Sequence, residues 1–253
     1  MRIRISKLLF GLTGIVLLAG CDGYSMVKSP SYVACYVSLE TFHLSVEPSD
    51  SHCLLVENRG NGKSSWYGLH STGAEKDRYD ELCRKHNDLN YNGYYSIYKS
   101  LDIESVTYND CDFTEIAVTT DRDFDERHPA GTNLSDVVRF MSWSPYRYIL
   151  SGYSSYYHYD KSDVSEAFDR LMSIYRGDRM SKNASKGTCY PIDKLVKDLA
   201  AEDLTLVGGD GALDRLGMLY FVQSPSTEGE YVITVSITTD DGRTLTDSVT
   251  MTF

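Results

Sequence analysis

The stretch Tyr231-Val-Ile-Thr-Val-Ser-Ile-Thr-Thr239, followed by Asp240-Asp-Gly242 and then Arg243-Thr-Leu-Thr-Asp-Ser-Val-Thr-Met-Thr-Phe253, decides the fold class. Tyr231, Ile233, Val235 and Ile237 alternate with smaller or polar residues, which is the period of a strand with one buried face. Asp241-Gly242 tolerates positive φ, and Leu245, Val249, Met251 and Phe253 resume the apolar face. Two alternating runs around Asp-Gly signal a β-hairpin. Chains that close on such a strand are typical of sandwich domains, with the last strand inside a sheet. The expected fold is therefore mainly β (α+β), with β-sandwich-like strands, two or three short helices and this C-terminal hairpin.

Upstream, strands are expected over Tyr32 to Val46 (one or two), Cys53 to Glu57, Ser105 to Tyr108 and Thr114 to Thr119. Arg147 to Tyr159 also has strand composition, being rich in tyrosine. Residues 75–86 predict a short helix that buries Tyr79 and Leu82. The best helical pattern runs from Asp163 to Tyr175 behind a Ser162 cap, with Val164, Phe168, Leu171, Met172 and Tyr175 on one face. Thr132 or Asn133 is placed to cap another helix carrying Leu134, Val137 and Val138. Pro191 is placed to open one through Ala201 that buries Leu195, Val196 and Leu199.

The N-terminus carries Arg2, Arg4 and Lys7 and no acid, then an apolar run from Leu8 to Ala19. That run is shorter than the roughly 20 residues of a spanning helix and has the length of a signal-peptide core. It ends in Leu18-Ala19-Gly20-Cys21, which looks like a lipobox. Residues 1–20 thus read as a lipoprotein signal peptide, with Cys21 as the lipidation site (palmitate or similar acyl chains). Residues 21–30 read as a tether, and 31–253 as one β-rich globular region. Several acyl chains hold a protein where one binds marginally. The expected location is the cell envelope, with the outer membrane and its periplasm-facing side favoured.

Losing residues 1–20 moves the formal charge from −11 to −14. Phosphate backbones need clustered Lys and Arg, so this balance excludes nucleic acid as a partner. Five cysteines remain beyond Cys21: Cys35, Cys53, Cys83, Cys111 and Cys189. Export permits disulfides, but an odd number leaves at least one thiol free and the spacing fixes no pairing. Tyrosine is abundant, at 20 of 253 residues, with clusters at 91–98 and 146–159. Half-buried tyrosines form strands well, whereas exposed ones stack on sugars or partner proteins.

Catalytic motifs fail on context. Ser96-Ile-Tyr-Lys99 lacks the companion elements of penicillin-binding enzymes, and the chain has no G-x-S-x-G or H-E-x-x-H. Asp121, Asp123 and Asp125 concentrate oxygen ligands and are the candidates for a metal site. The EF-hand pattern breaks at Glu126 and Thr132, so the competing reading is a turn using Asp side chains to bond local backbone. No cofactor is expected.

The segments Ile116-Ala-Val-Thr-Thr-Asp-Arg-Asp-Phe-Asp125 with His128-Pro-Ala-Gly-Thr-Asn-Leu-Ser-Asp136, and Gly229-Glu-Tyr-Val-Ile-Thr-Val-Ser-Ile-Thr-Thr-Asp-Asp-Gly-Arg243, join the lipobox in resembling a family of Bacteroidota lipoproteins with no assigned activity. The resemblance implies an immunoglobulin-like part over about 205–253 and transfers no functional residue. Two functions stay open: a non-enzymatic binding or accessory module for a glycan or protein ligand, and an anchored hydrolase acting on glycans or peptides.

Overall fold

The computed structural model describes residues 24–58, 65–98, 106–158, 160–174, 187–208 and 215–253. Along these run β1 (Tyr24–Ser29), β2 (Cys35–Val37), β3 (His43–Val46), β4 (Cys53–Glu57), β5 (Trp66–Gly68), α1 (Ala74–Lys85), β6 (Gly93–Tyr98), β7 (Thr107–Asn109) and β8 (Phe113–Thr120). They continue with β9 (Val138–Ser144), α2 (Tyr146–Leu150), α3 (Glu166–Ile174), β10 (Tyr190–Leu195), β11 (Gly217–Phe221), β12 (Glu230–Thr239) and β13 (Thr244–Thr252). The fold is mainly β, sandwich-like and without a closed barrel.

The hairpin forms as its alternation requires. β12 and β13 pair from Glu230–Thr252 to Thr238–Thr244, and Gly242 takes φ 85° in the connection. Tyr231, Ile233, Val235 and Ile237 are buried. β12 also pairs with β8, giving a three-stranded antiparallel sheet in the order β13-β12-β8. The last strand therefore lies at the edge of its sheet, contrary to the interior place expected of it. Asp247 shares the inward face and accepts the Leu44 N–H at 2.8 Å, which ties that edge to β3.

Against this sheet packs a five-stranded antiparallel one, ordered β10-β9-β11-β4-β3. Leu44, Leu54, Val56, Val138, Phe140, Leu219 and Phe221 face Phe113, Ile116, Val118, Ile233, Val235 and Met251 in one core. Alternate residues of the same strands (Leu55, Met141, Trp143 and Met218) point to the opposite side, where Phe168 and Leu171 of α3 cover them. Burial on both faces explains why β4 reads as a nearly continuous apolar run. A third cluster joins Tyr36, Tyr79, Leu82, Tyr108, Tyr148 and Ile149, from the small mixed sheet β5-β2-β7 and from α1 and α2.

The strands of 205–253 are shared out between the sheets: β11 lies between β9 and β4, and β12 pairs with β8. α1 matches the expected helix, with Tyr79, Leu82 and Cys83 buried. Its acids Glu75 and Asp77 sit in the first turn and its cations Arg84 and Lys85 in the last, matching the helix dipole. α3 starts later than its pattern, because Ser165, not Ser162, accepts the Phe168 N–H at 3.2 Å. Ser162 instead lies in a 3-10 turn capped by Asp160.

Four local expectations are corrected. Within the expected tether, Tyr24–Ser29 forms a strand that pairs residue for residue with Gly93–Tyr98. Asn133 caps no helix; its side chain and the Leu134 N–H bond Val118 and shield the open edge of β8. Pro191 opens no helix, because β10 is an edge strand where a missing N–H is tolerated. Among the described residues of the Arg147 to Tyr159 stretch there is no strand: Ser144 Oγ accepts the Tyr146 N–H just before the short α2, after which residues 151–158 are irregular. Tyr175 lies outside the described residues.

Candidate functional site

Cys21 lies outside the described residues. The three nominated aspartates are described, and each is engaged by neighbouring donors. Asp121 accepts the Val232 N–H at 2.9 Å and Asp123 the Ala130 N–H at 2.8 Å. Asp125 accepts the Arg127 and His128 N–H groups at 2.8 and 3.0 Å, and its second oxygen takes Gln223. Among the described residues no group of three or more His, Cys, Asp or Glu side chains is placed to hold a metal ion. Asp125 also meets His128 Nδ1 at 2.7 Å while Asp136 meets Nε2 at 2.8 Å, so the buried ring staples the loop to the segment before β9.

A second buried histidine follows α1. Asn87 takes φ 57°, and the Asp88 N–H bonds back to the Cys83 carbonyl, which closes the helix in a Schellman-like turn. This turn aims two polar groups inward. His86 Nδ1 lies 3.1 Å from the Tyr36 hydroxyl and Nε2 lies 3.0 Å from Asp112. Lys85 reaches Asp112 at 2.7 Å. Burial raises the Asp112 carboxyl, but His86 and Lys85 outweigh it and bring the pKa down to about 2. Asp88 is fully buried and accepts Tyr32 N–H, Val33 N–H and the Tyr153 hydroxyl at 2.6, 2.8 and 2.8 Å. Tyr36, His86 and Asp112 form a relay-like line, but Tyr36 is completely buried. The line works as a structural strut.

The five cysteines are free thiols, four of them buried. Burial pushes Cys35 and Cys111 up to about 12, and Cys53 and Cys83 upward as well. These four behave as small apolar side chains, inert at neutral pH.

Among the described residues, a cleft of about 360 Å³ suited to a ligand is lined by Arg147, Tyr157, Asp163, Tyr190, Asp193 and Lys194. Tyr190 and Lys194 come from β10, Arg147 from α2, and Tyr157 from the irregular segment after it. That segment is fixed by the Tyr157 N–H donating to the Gly187 carbonyl at 2.7 Å. Gly187 has φ 71°, and a Cβ there would meet the Tyr157 carbonyl at 2.7 Å, so only glycine fits. The Tyr157 and Tyr190 rings lie 5.4 Å apart, inclined at 43°.

Their hydroxyls are held. Tyr157 donates to Asp163 at 3.0 Å, and Tyr190 donates to the Ser155 carbonyl at 2.9 Å. Burial and the Asp163 contact push Tyr157 up to about 12 and keep it neutral. Lys194 and Arg147 both reach the buried Asp203, at 2.6 and 3.5 Å, and Arg147 lies 6.0 Å over the Tyr190 ring. Asp193 is tied to Arg139 at 3.1 Å and to the Ser165 N–H. Two ring faces among fixed donors and acceptors can stack the C–H face of a sugar and bond its hydroxyls. Tyrosine abundance at 146–159 was the only sequence signal of this cleft; nothing marked Tyr190, Lys194 or Arg147.

No protein-family model, curated protein or solved structure matches the chain. Among the described residues no helix is long and apolar enough to cross a membrane.

Proposed function

We propose that this is a lipoprotein of the bacterial cell envelope, anchored through acyl chains on Cys21, whose folded part binds a glycan in the cleft lined by Tyr157 and Tyr190 without turning it over. The paired rings, held in place by Asp163 and Ser155 among fixed charges, carry the binding half of the reading. The order of positive residues, short apolar run, small residues and cysteine supports the anchor. The favoured location is the outer membrane, facing the periplasm. The hydrolase alternative draws on the same cleft, because Asp163 and Asp193 both line it. Against it, Asp193 is occupied by Arg139 and the Ser165 N–H.

A glycan array probed with the protein, alongside Tyr190→Ala and Tyr157→Ala, tests the reading. Loss of one stacking face is expected to weaken binding roughly tenfold, about 1.4 kcal/mol, with the fold intact. Retained binding in both variants would remove the cleft from consideration. Glycan cleavage abolished by Asp163→Asn would establish the hydrolase instead.

A further inference from the structure

Three segments, 24–36, 89–98 and 144–158, contain none of the chain's 36 acids yet hold twelve of its 20 tyrosines. The fold gathers them. The Tyr91 ring lies 5.4 Å from Tyr32 and 5.2 Å from Tyr153, and Tyr148 lies 5.3 Å from both Tyr32 and Tyr156. The carboxylate among them that comes from outside these segments, Asp88, is fully buried. Leu89, which lines a hollow with Tyr91, is 44% exposed, Tyr156 against Tyr148 is 53% exposed, and Tyr94, paired with Lys28 across the β1–β6 ribbon, is 61% exposed. Lys28 and Leu89 share a hollow of about 370 Å³ at the inner end of the β1–β6 ribbon. An acid-free aromatic patch with a lysine beside it is out of character for a chain of formal charge −11.

The position of this patch points to its occupant. β1 begins at Tyr24, three residues past Cys21, and such a link reaches at most about 10 Å. The six-residue ribbon adds roughly 20 Å. Whatever holds Cys21 at a membrane keeps the patch within a short reach of the lipid surface. Tyrosine is the side chain that settles at a bilayer's edge, with its ring among the acyl carbons and its hydroxyl in water. An acidic protein near anionic lipid is repelled least through a face that has no carboxylates.

We propose that the Leu89–Tyr94–Tyr156 face lies on the bilayer as a second attachment beside the Cys21 anchor, with the β1–β6 ribbon along the surface. This fixes the orientation of the folded part. The inference rests on the anchor in the proposed function, although its test reads the two separately.

The full chain, purified with the N-terminus the cell leaves on it, is reconstituted in phosphatidylcholine vesicles with or without brominated acyl chains. Leu89→Trp and Tyr94→Trp report contact with lipid, and Thr250→Trp on exposed β13 is the control, each read against the unsubstituted protein. Brominated vesicles are expected to quench the added emission roughly twofold at the first two positions, as for side chains about 5–10 Å into the headgroup boundary, and to leave the control unchanged. Equal emission at all three positions, or equal quenching, overturns the proposed face. The mass of the N-terminal peptide from the same preparation reads the anchor. Acylated Cys21 without quenching sinks the face alone; quenching with an unmodified Cys21 sinks the anchor alone. A ribbon standing upright would lift the face clear and give no quenching.

Discussion

Removing the Asp88 carboxylate tests how the tyrosine-rich part of the molecule is held. Its two oxygens accept Tyr32 N–H, Val33 N–H and Tyr153 O–H, which joins the approach to β2, the end of α1 and the segment after α2. Asp88→Ala leaves the buried Tyr32 and Val33 N–H groups, and the half-buried Tyr153 hydroxyl, without this acceptor. At about 1–3 kcal/mol for each orphaned group, and with some relaxation, the loss should be roughly 3–5 kcal/mol. For a chain of this size that lowers the melting temperature by roughly 10 °C. Asp88→Asn is milder. Its amide oxygen keeps Tyr32 and Tyr153, while its NH2 faces the Val33 N–H, so about 1–2 kcal/mol is expected.

The pH dependence of that gap is a second readout. Burial is the largest influence on Asp88 and raises its pKa above 3.8, against the pull of Val33, Tyr32 and Tyr153. An acid with a raised folded pKa stabilises fully below its unfolded value and loses that contribution as pH rises through the folded one. The wild type should therefore lead Asp88→Asn by most at low pH, and by less once Asp88 ionises. Urea unfolding followed by tryptophan emission gives both numbers, provided the slope with denaturant stays constant. An Asp88→Ala protein within about 1 kcal/mol of wild type would refute the junction, since two buried N–H groups stripped of their acceptor cost more than that.

Two further outcomes follow from the buried groups. Asp112, held down to about 2 by His86 and Lys85 against burial, stabilises above its unfolded pKa and loses that contribution as pH falls from about 4 toward 2. Asp112→Asn should lower stability at neutral pH and flatten the acid limb of a urea-midpoint profile; an unchanged limb would place the acid sensitivity elsewhere. Cys53, Cys83, Cys111 and Cys189 should resist a thiol reagent in the folded protein and all react on unfolding. Fast labelling of any one without unfolding would contradict its burial.

What could be read from the chain divides along a physical line. The hairpin and α1 are governed by local pattern: strict alternation around Asp241-Gly242, and a helix with acids first and cations last. β10 and α2 depend on neighbours that no local pattern reports. Pro191 sits in a strand because β9 offers an edge where its missing N–H costs nothing. The Arg147 to Tyr159 stretch has strand-forming residues, but its described part pairs with no edge, and one short helix prevails behind Pro145 with the Tyr146 N–H held by Ser144. The tether expectation failed for the same reason, because β6, far along the chain, supplies a partner for Tyr24–Ser29. The cleft was hidden in the same way, since Tyr157 and Tyr190 meet only through Gly187 and the register of β10.

The tyrosines themselves argue for surface roles. Strand propensity accounts for Tyr36 and Tyr108, which lie in the small mixed sheet with their rings buried. It does not account for Tyr79 and Tyr148 in helices, or for Tyr91, Tyr153, Tyr156 and Tyr157 in irregular chain. A core needing only apolar volume there would be served by leucine or phenylalanine, which require no hydrogen-bond partner. Tyr79 and Tyr153 do bond inward, to the Val33 carbonyl and to Asp88. Tyr94 and Tyr156 leave much of their rings open, and Tyr157 with Tyr190 turns two rings to a cleft. Side chains with an apolar face and a polar rim suit a boundary, whether against a sugar or against lipid. Strand formation alone therefore does not explain these positions, whereas the proposed glycan cleft and membrane face would.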